Sequence, residues 1–154
     1  MQKPWLSHYP DGVPAQIDPD RYGSLVDLID QACATHSDKR ALVFMGRSLA
    51  YADLDRHANA VAGWTQAQGL AVGSRVALMM PNTMAYMVAL VGVLGAGMMV
   101  VNVNPMYTAP ELEHQLRDCD ADAIFIFESF AATLAQVPAA VRPRHTVLVS
   151  VGDL

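Results

Sequence analysis

The sequence predicts an α/β domain, a doubly wound and mainly parallel sheet with helices on both faces. Three observations carry that expectation. From residue 75 onward, strand-like runs alternate with helix-like runs in the order strand, helix, strand, helix, strand, helix, strand. The strand-like runs are apolar at almost every position, as strands covered on both faces must be. Apolar residues make up 53% of the 154 positions and charged ones 16%, where an average domain is about a quarter charged. The chain is rich in core and poor in charged surface.

The same composition excludes several classes. There is enough apolar surface to offset ordering entropy, so the chain is not intrinsically disordered. Its net charge is −5 and it has no basic run, which excludes a nucleic-acid module working through phosphate contacts. Two cysteines, Cys33 and Cys119, make no disulfide scaffold and suit a reducing compartment. The opening stretch, Met1-Gln-Lys-Pro-Trp-Leu-Ser-His-Tyr-Pro10, meets prolines before an apolar h-region can form. No secretory signal is expected, and the cytoplasm is the expected address.

Residues 1–22 are expected to form an irregular arm. Pro4, Pro10, Pro14 and Pro19 break regular structure. Trp5, Leu6, Tyr9 and Ile17 would pack on the domain itself or on a second subunit. Residues 23–154 form the α/β part. Its first helix starts at Ser24, with Asp27 as capping partner three residues on. Leu25, Leu28, Ile29, Ala32 and Cys33 share one face, which is assigned to the core, so Cys33 is an inert thiol rather than a nucleophile. Residues 41–45 are expected to form a strand, Gly46-Arg47 a turn and residues 48–51 a short return strand. A second helix, about 53–68, stops at Gly69 and buries Leu54, Ala58, Val61, Ala62 and Thr65. His57 borders that stripe and is assigned as a hydrogen-bonded structural histidine.

The alternation follows a turn at 69–74. Residues 75–80 form a strand closed by Pro81-Asn82. Residues 83–94 form a helix apolar nearly all round, hence buried on more than one side. Residues 98–103 form the next strand, ended by Asn104-Pro105. Thr108-Ala-Pro-Glu111 opens a helix as a capping box with proline in its first turn. Leu112, Leu116 and Cys119 are its buried stripe, Glu113 and Arg117 an exposed i, i+4 pair, and His114 faces solvent. Residues 123–127 are a strand, Ser129 is the expected cap of a helix ending before Pro138, and residues 146–149 are the last strand. No covering element follows it, so the chain is expected to be a piece of something longer.

The run from Met84 to Val103 carries no charge, and its polar side chains are Tyr86 and Asn102. Its hydropathy suits a membrane span. Gly92, Gly95 and Gly97 interrupt it, however, and a helix, a turn and a buried strand account for it fully. No transmembrane span is expected.

Ligands of an open parallel sheet bind beyond the carboxyl ends of its strands. Three loops are expected there: 81–83, 104–108 and 128–130. None carries the spaced glycines, lysine and Ser/Thr of a phosphate cradle. The three glycines of the apolar run lie at the opposite edge, between a helix end and a strand start, away from the helix N-terminus that would hold a pyrophosphate. His8, His36, His57, His114 and His145 are scattered, and no His/Cys/carboxylate set has ligand spacing. No Gly-x-Ser-x-Gly elbow occurs. Glu111 and Glu113 are a solvated pair on a helix surface. Seven of the nine methionines lie between Met79 and Met106 and are assigned to adaptable core packing before the wall of an apolar pocket. No catalytic, cofactor-binding or metal-ligating residue is assigned.

Four stretches, taken together, add a resemblance. They are Trp5-Leu-x-x-Tyr-Pro with Asp18-Pro-Asp-Arg-Tyr-x-Ser-Leu-Val; Gly69-Leu-x-Val-Gly-Ser-Arg-Val-Ala-Leu-Met-Met-Pro-Asn82; Ala96-Gly-Met-Met-Val-Val-Asn-Val-Asn-Pro-Met-Tyr-Thr108; and Glu111-Leu-Glu-His-Gln-Leu116. In this order they resemble the start of a bacterial long-chain fatty acid–CoA ligase of the adenylate-forming superfamily. The third and fourth in series are the specific part. Ser74 stands where that family often has Asp, and Gly95 where a basic residue is common.

The resemblance implies the N-terminal α/β subdomain of the adenylate-forming fold, incomplete at residue 154. The whole enzyme would convert ATP, a fatty acid and CoA to acyl-CoA, AMP and pyrophosphate, with Mg²⁺. In such ligases the phosphate loop, the adenine and ribose motifs, the hinge and the small C-terminal domain with its lysine all come later. This stretch is therefore expected to hold no cofactor, to be inactive alone and to serve as scaffold. Its partner would be the rest of the ligase, and the arm is a candidate homodimer contact. The loop 104–108 would lie near the CoA channel of the complete enzyme, although a plain structural turn explains the same residues. The enzyme would be cytoplasmic and peripheral at the inner membrane. The alternative is a standalone α/β module binding an acyl chain or a protein partner, which the methionine-rich stretch and the aromatic arm suggest.

Overall fold

The computed structural model describes residues 3–154, and the first two residues of the expected arm lie outside them. A short 3₁₀ turn, Pro4–His8, precedes α1 (Leu25–Thr35), the strands β1 (Arg40–Phe44) and β2 (Arg47–Ala50), and α2 (Tyr51–Ala67). Then come β3 (Arg75–Met79), α3 (Met84–Gly95), β4 (Met99–Asn102), α4 (Ala109–Cys119), β5 (Ala123–Phe127), α5 (Ala131–Gln136) and β6 (His145–Val149).

β1 and β2 form an antiparallel hairpin of their own. The other four strands form one parallel sheet in the order β4-β3-β5-β6. Ala77 of β3 pairs with Val101 on one side and Ile124 on the other, which fixes the register across the middle. Alternate residues supply two cores, because strand side chains point to opposite faces in turn. Val76, Leu78 and Phe125 meet Val61 and Trp64 of α2 and Ala89 and Val93 of α3. Ala77, Met79, Ile124 and Ile126 meet Leu112 and Leu116 of α4 and Leu134 of α5. The doubly wound architecture is thus present, with two helices on each face. Leu112, Leu116, Ile124 and Ile126 are at most 2% exposed, and burying each such side chain contributes about 1.5–3 kcal/mol.

The apolar run resolves into α3, a turn at Ala96-Gly97 and β4. Twelve residues of α3 rise about 18 Å, well short of the ~30 Å hydrocarbon core of a bilayer. Among the described residues no helix is long and apolar enough to cross a membrane. Gly95 closes α3 and Gly97 takes a positive φ of 75°. Gly92 has a different job from that of a helix stop: it lies inside α3 where the backbone of α2 passes closest.

Several expectations need correction. The apolar face of α1 is only partly covered. Cys33 is buried at 6% and Ile29 packs on the α2–α3 cluster, but Leu25 is 54% and Leu28 37% exposed, so only part of the apolar face meets a partner. The β-hairpin turn falls at Met45-Gly46, both with positive φ, and not at Gly46-Arg47. Two left-handed residues give the turn a twist that matches the strands it joins. Ser129 caps nothing: it sits within a 3₁₀ turn, Glu128–Phe130, and α5 begins after Phe130 with no side-chain cap. The arm is also less free of regular structure than its prolines suggested, since Pro4 occupies the first position of the 3₁₀ turn, where its fixed φ is tolerated. Trp5, Tyr9 and Ile17 remain 49%, 43% and 86% exposed.

Candidate functional site

The carboxyl edge of the sheet is where a ligand would be met, and its loops are built by strand ends and helix starts. Thr83 caps α3 by accepting a hydrogen bond from the Tyr86 N–H at 3.3 Å. The Tyr86 hydroxyl donates to Asn102 Oδ1 at 3.0 Å. The two polar side chains of the apolar run thus bond to each other across the end of β4. Gln115 of α4 donates to the Asn102 carbonyl at 3.0 Å, so three elements are tied at one strand end. Gln115 Oε1 is buried without a partner.

The loop 104–108 is a turn with a helix cap. Asn104 Oδ1 accepts from the Met106 N–H at 3.0 Å, and the Asn104 carbonyl accepts from the Tyr107 N–H at 3.1 Å. Glu111 then reaches back over the start of α4. Its Oε2 accepts from the Thr108 N–H at 2.8 Å and from the Thr108 hydroxyl at 2.6 Å. These bonds favour the carboxylate and hold its pKa below the ordinary value. A hollow of about 510 Å³ beside it is lined by Tyr107, Glu111, His114 and Asp118.

A second concavity lies on the other side of the molecule. A groove of about 330 Å³ runs between α2, α3 and β6, walled by Val61, Trp64, Val88, Phe125, Val147 and Leu154. Trp64 meets Phe125 edge-on at 5.4 Å between ring centres, and His145 at 6.3 Å. His145 Nε2 is buried without a partner. His57 stands at the groove's rim, with Nε2 3.5 Å from Arg56 Nη2, the far limit of a hydrogen bond. This histidine faces a groove and is not locked into a hydrogen-bonded core.

Cys33, Cys119, Glu113 and Arg117 stand apart from both concavities. Burial pushes the Cys33 thiol up, helped by Asp55 and Asp30, and burial likewise raises Cys119. Neither thiol is activated. His114 is exposed, and Glu113 pairs with Arg117 at 2.7 Å on the surface of α4. Among the described residues no group of three or more His, Cys, Asp or Glu gathers to hold a metal. Gly97 lies beside Gly73, whose N–H bonds to its carbonyl at 2.9 Å, at the amino edge of the sheet.

Comparison with known proteins fits this architecture. A family profile described as AMP-binding enzyme matches residues 29–153. The chain belongs to the AMP-binding enzyme family. It is 49% identical over 154 residues to a long-chain-fatty-acid–CoA ligase of Yersinia pestis and to one of Escherichia coli. In both, 99% of this chain is covered, but only 27% and 28% of the relative. The chain thus spans about a quarter of the length of these curated relatives. Among solved structures, a long-chain-fatty-acid–CoA ligase from Archaeoglobus fulgidus superposes with a TM-score of 0.79 at 23% identity, over 92% of this chain and 30% of that one. The anthranilate CoA ligase AuaEII with anthranoyl-AMP gives 0.79 at 22% identity, over 83% of this chain and 25% of that one. These structures share the fold.

A member of this family implies a nucleotide, and among the described residues the carboxyl edge offers its phosphates no cation in the loops 81–83, 104–108 and 128–130. The N-terminus of α4, the natural anion seat at the carboxyl edge, is already filled by the Glu111 carboxylate. The N-terminus of α3 is capped by Thr83. Neither the Tyr86–Asn102–Gln115 tie nor the groove is visible in the sequence. Tyr86 and Asn102 are conspicuous as the polar pair of the apolar run, but nothing local marks them as partners.

Proposed function

We propose that this chain is the amino-terminal part of an ATP-dependent long-chain fatty acid–CoA ligase. It contributes scaffold to the enzyme and no catalytic, nucleotide-binding or metal-ligating residue. The observation that carries this reading is end-to-end similarity at 49% identity to ligases of which the chain covers about a quarter. The complete ligase would activate a long-chain fatty acid with ATP and Mg²⁺ and pass the acyl group to CoA. The cation-free carboxyl edge of the sheet agrees with a division of labour in which later residues supply the phosphate site. The arm, residues 1–22, with its exposed Trp5, Tyr9 and Ile17, serves as a subunit contact, and residues 23–154 as the α/β subdomain. The enzyme acts in the cytoplasm, at the periphery of the inner membrane.

The test is direct. The gene is read beyond codon 154, and the full-length and 154-residue chains are assayed for acyl-CoA with a long-chain fatty acid, ATP, Mg²⁺ and CoA. Activity is expected from the full-length chain alone. Acyl-CoA made by the 154-residue chain would falsify the reading. A second reading, a self-contained module for an acyl chain, draws on the apolar groove. It requires a stop after codon 154 and saturable fatty-acid binding at a defined stoichiometry.

A further inference from the structure

We propose that the groove between α2, α3 and β6 is the seat of the polypeptide that directly follows Leu154 in the full-length ligase. That stretch lays an apolar face on Trp64, Val61 and Val147 and closes the α2–α3 face of the sheet over β6. This proposal rests on the reading of the chain as the opening part of a longer enzyme.

Four observations carry it. The groove is apolar along its walls, so water gains nothing there and an apolar occupant removes exposed surface. It is also a gap in the layering. The same sheet face is covered over β3 and β5 by Val61, Trp64, Ala89 and Val93, while Val147 over β6 is only half-buried. The chain already turns toward the groove after β6. A 3₁₀ turn, Val151–Asp153, is held by Ser150 N–H to Asp153 Oδ2 at 2.6 Å and Ser150 Oγ to Asp153 Oδ1 at 3.1 Å. It delivers Leu154 onto the α2–α3 cluster, where Asp153 and Leu154 line the groove. Finally, the relatives carry nearly three quarters of their length outside the matched part, so the occupant is covalently tethered at the groove's mouth and binds at high effective concentration.

A second copy of this chain is less suited. An isologous contact through a groove needs a complementary ridge beside it, and the most exposed large apolar residues, Ile17, Val72, Met106 and Met45, stand away from the groove, with Leu148 the strongly exposed apolar residue that lines it.

The experiment uses the full-length ligase, first shown to make acyl-CoA. Hydroxyl-radical footprinting with peptide mass spectrometry reads Trp64 and Val147 against Val72, 84% exposed and outside both the groove and the arm, as an internal reference. Trp64 and Val147 are expected to lose labelling relative to the 154-residue chain, while Val72 keeps it. In parallel, Ala60→p-benzoylphenylalanine, at an exposed groove position, is photolysed. The expected cross-link joins position 60 to the peptide that follows Leu154 in the same molecule. A cross-link between two copies overturns the proposal in favour of a dimer. Labelling of Trp64 that disappears only on adding long-chain fatty acid overturns it in favour of an acyl ligand. An active ligase with Trp64 labelled as fully as in the 154-residue chain overturns the docking and leaves the proposed function standing. A full-length chain that makes no acyl-CoA overturns the function and the docking together.

Discussion

Gly92 of α3 crosses Ala58 of α2 so closely that a Cβ on Gly92 would stand 2.5 Å from the Ala58 carbonyl oxygen. The same Cβ would lie 2.6 Å from Val61 Cβ. Backbone cannot retreat as a side-chain tip can, so this crossing depends on the missing methyl.

Gly92→Ala should therefore destabilise the chain, although alanine is the better helix former by about 1 kcal/mol. Overpacking at a fixed crossing costs about 1–3 kcal/mol, and the clash wins. Urea unfolding of wild type and variant measures the difference. A variant as stable as wild type would show that the helices are further apart. Gly95→Ala is the control: a Cβ there would meet nothing within 4 Å, and its midpoint should rise or stay.

Leu112 and Leu25 look alike on a helical wheel and differ in the fold. Leu112 is fully buried against the sheet, whereas Leu25 is 54% exposed. Leu112→Ala should cost about 2–5 kcal/mol through lost burial and a cavity. Leu25→Ala should stay within about 0.5 kcal/mol, as surface changes do. Thermal or urea midpoints of both variants decide it. Equal losses would mean that α1 packs as its periodicity alone suggests.

Glu111 couples the start of α4 to acid. Its carboxyl has a folded pKa below the ordinary 4.5, chiefly through the Thr108 hydroxyl and then the Thr108 N–H. A folded value below the unfolded one means that the stabilisation is complete above the unfolded value and is lost as pH falls through the folded one. Wild type should lose stability below the unfolded value of about 4.5 more steeply than Glu111→Gln. Unfolding midpoints over an acid pH series compare the two. Parallel profiles would show that Glu111 does not reach back to Thr108.

Thiol chemistry should follow burial. Cys119 is partly exposed and Cys33 buried, and both thiols are raised above their ordinary value of 9.0. An aromatic disulfide reagent at neutral pH should label Cys119 first and Cys33 only as the chain opens, both more slowly than a free small thiol. Rapid labelling of Cys33 would mean that the α1–α2 contact is loose.

The parallel sheet is legible in the sequence because its strands are bounded by strong punctuation. Between Asp122 and Glu128, β5 falls at the residues expected of it, and all five of its side chains are buried. Pro81-Asn82 and Asn104-Pro105 likewise fix the ends of β3 and β4 closely. Periodicity is less informative for α1. It finds an apolar face but does not say what covers it, and Leu25 and Leu28 lie beyond the reach of the core. Ser129 has the right chemistry for a cap, but the chain uses that position for a 3₁₀ turn. The groove has no signature in the sequence at all. Val61, Val88 and Val147 each belong to an ordinary core pattern, and only the tertiary arrangement leaves the space between them open.

The strand order β4-β3-β5-β6 also has a temporal meaning. The first strand made, β3, becomes an inner one, and each later strand is laid against an edge that already exists: β4 on one side, β5 on the other, β6 outside β5. No strand has to be inserted between two that are already paired. A sheet grown by accretion can assemble in the order in which a ribosome delivers it. β3 and α3 are complete before β4 arrives, and the β3–β4 and β5–β6 connections each close over a single intervening α-helix, which keeps the entropic cost of those additions low, while β5 reaches β3 across α3, β4 and α4.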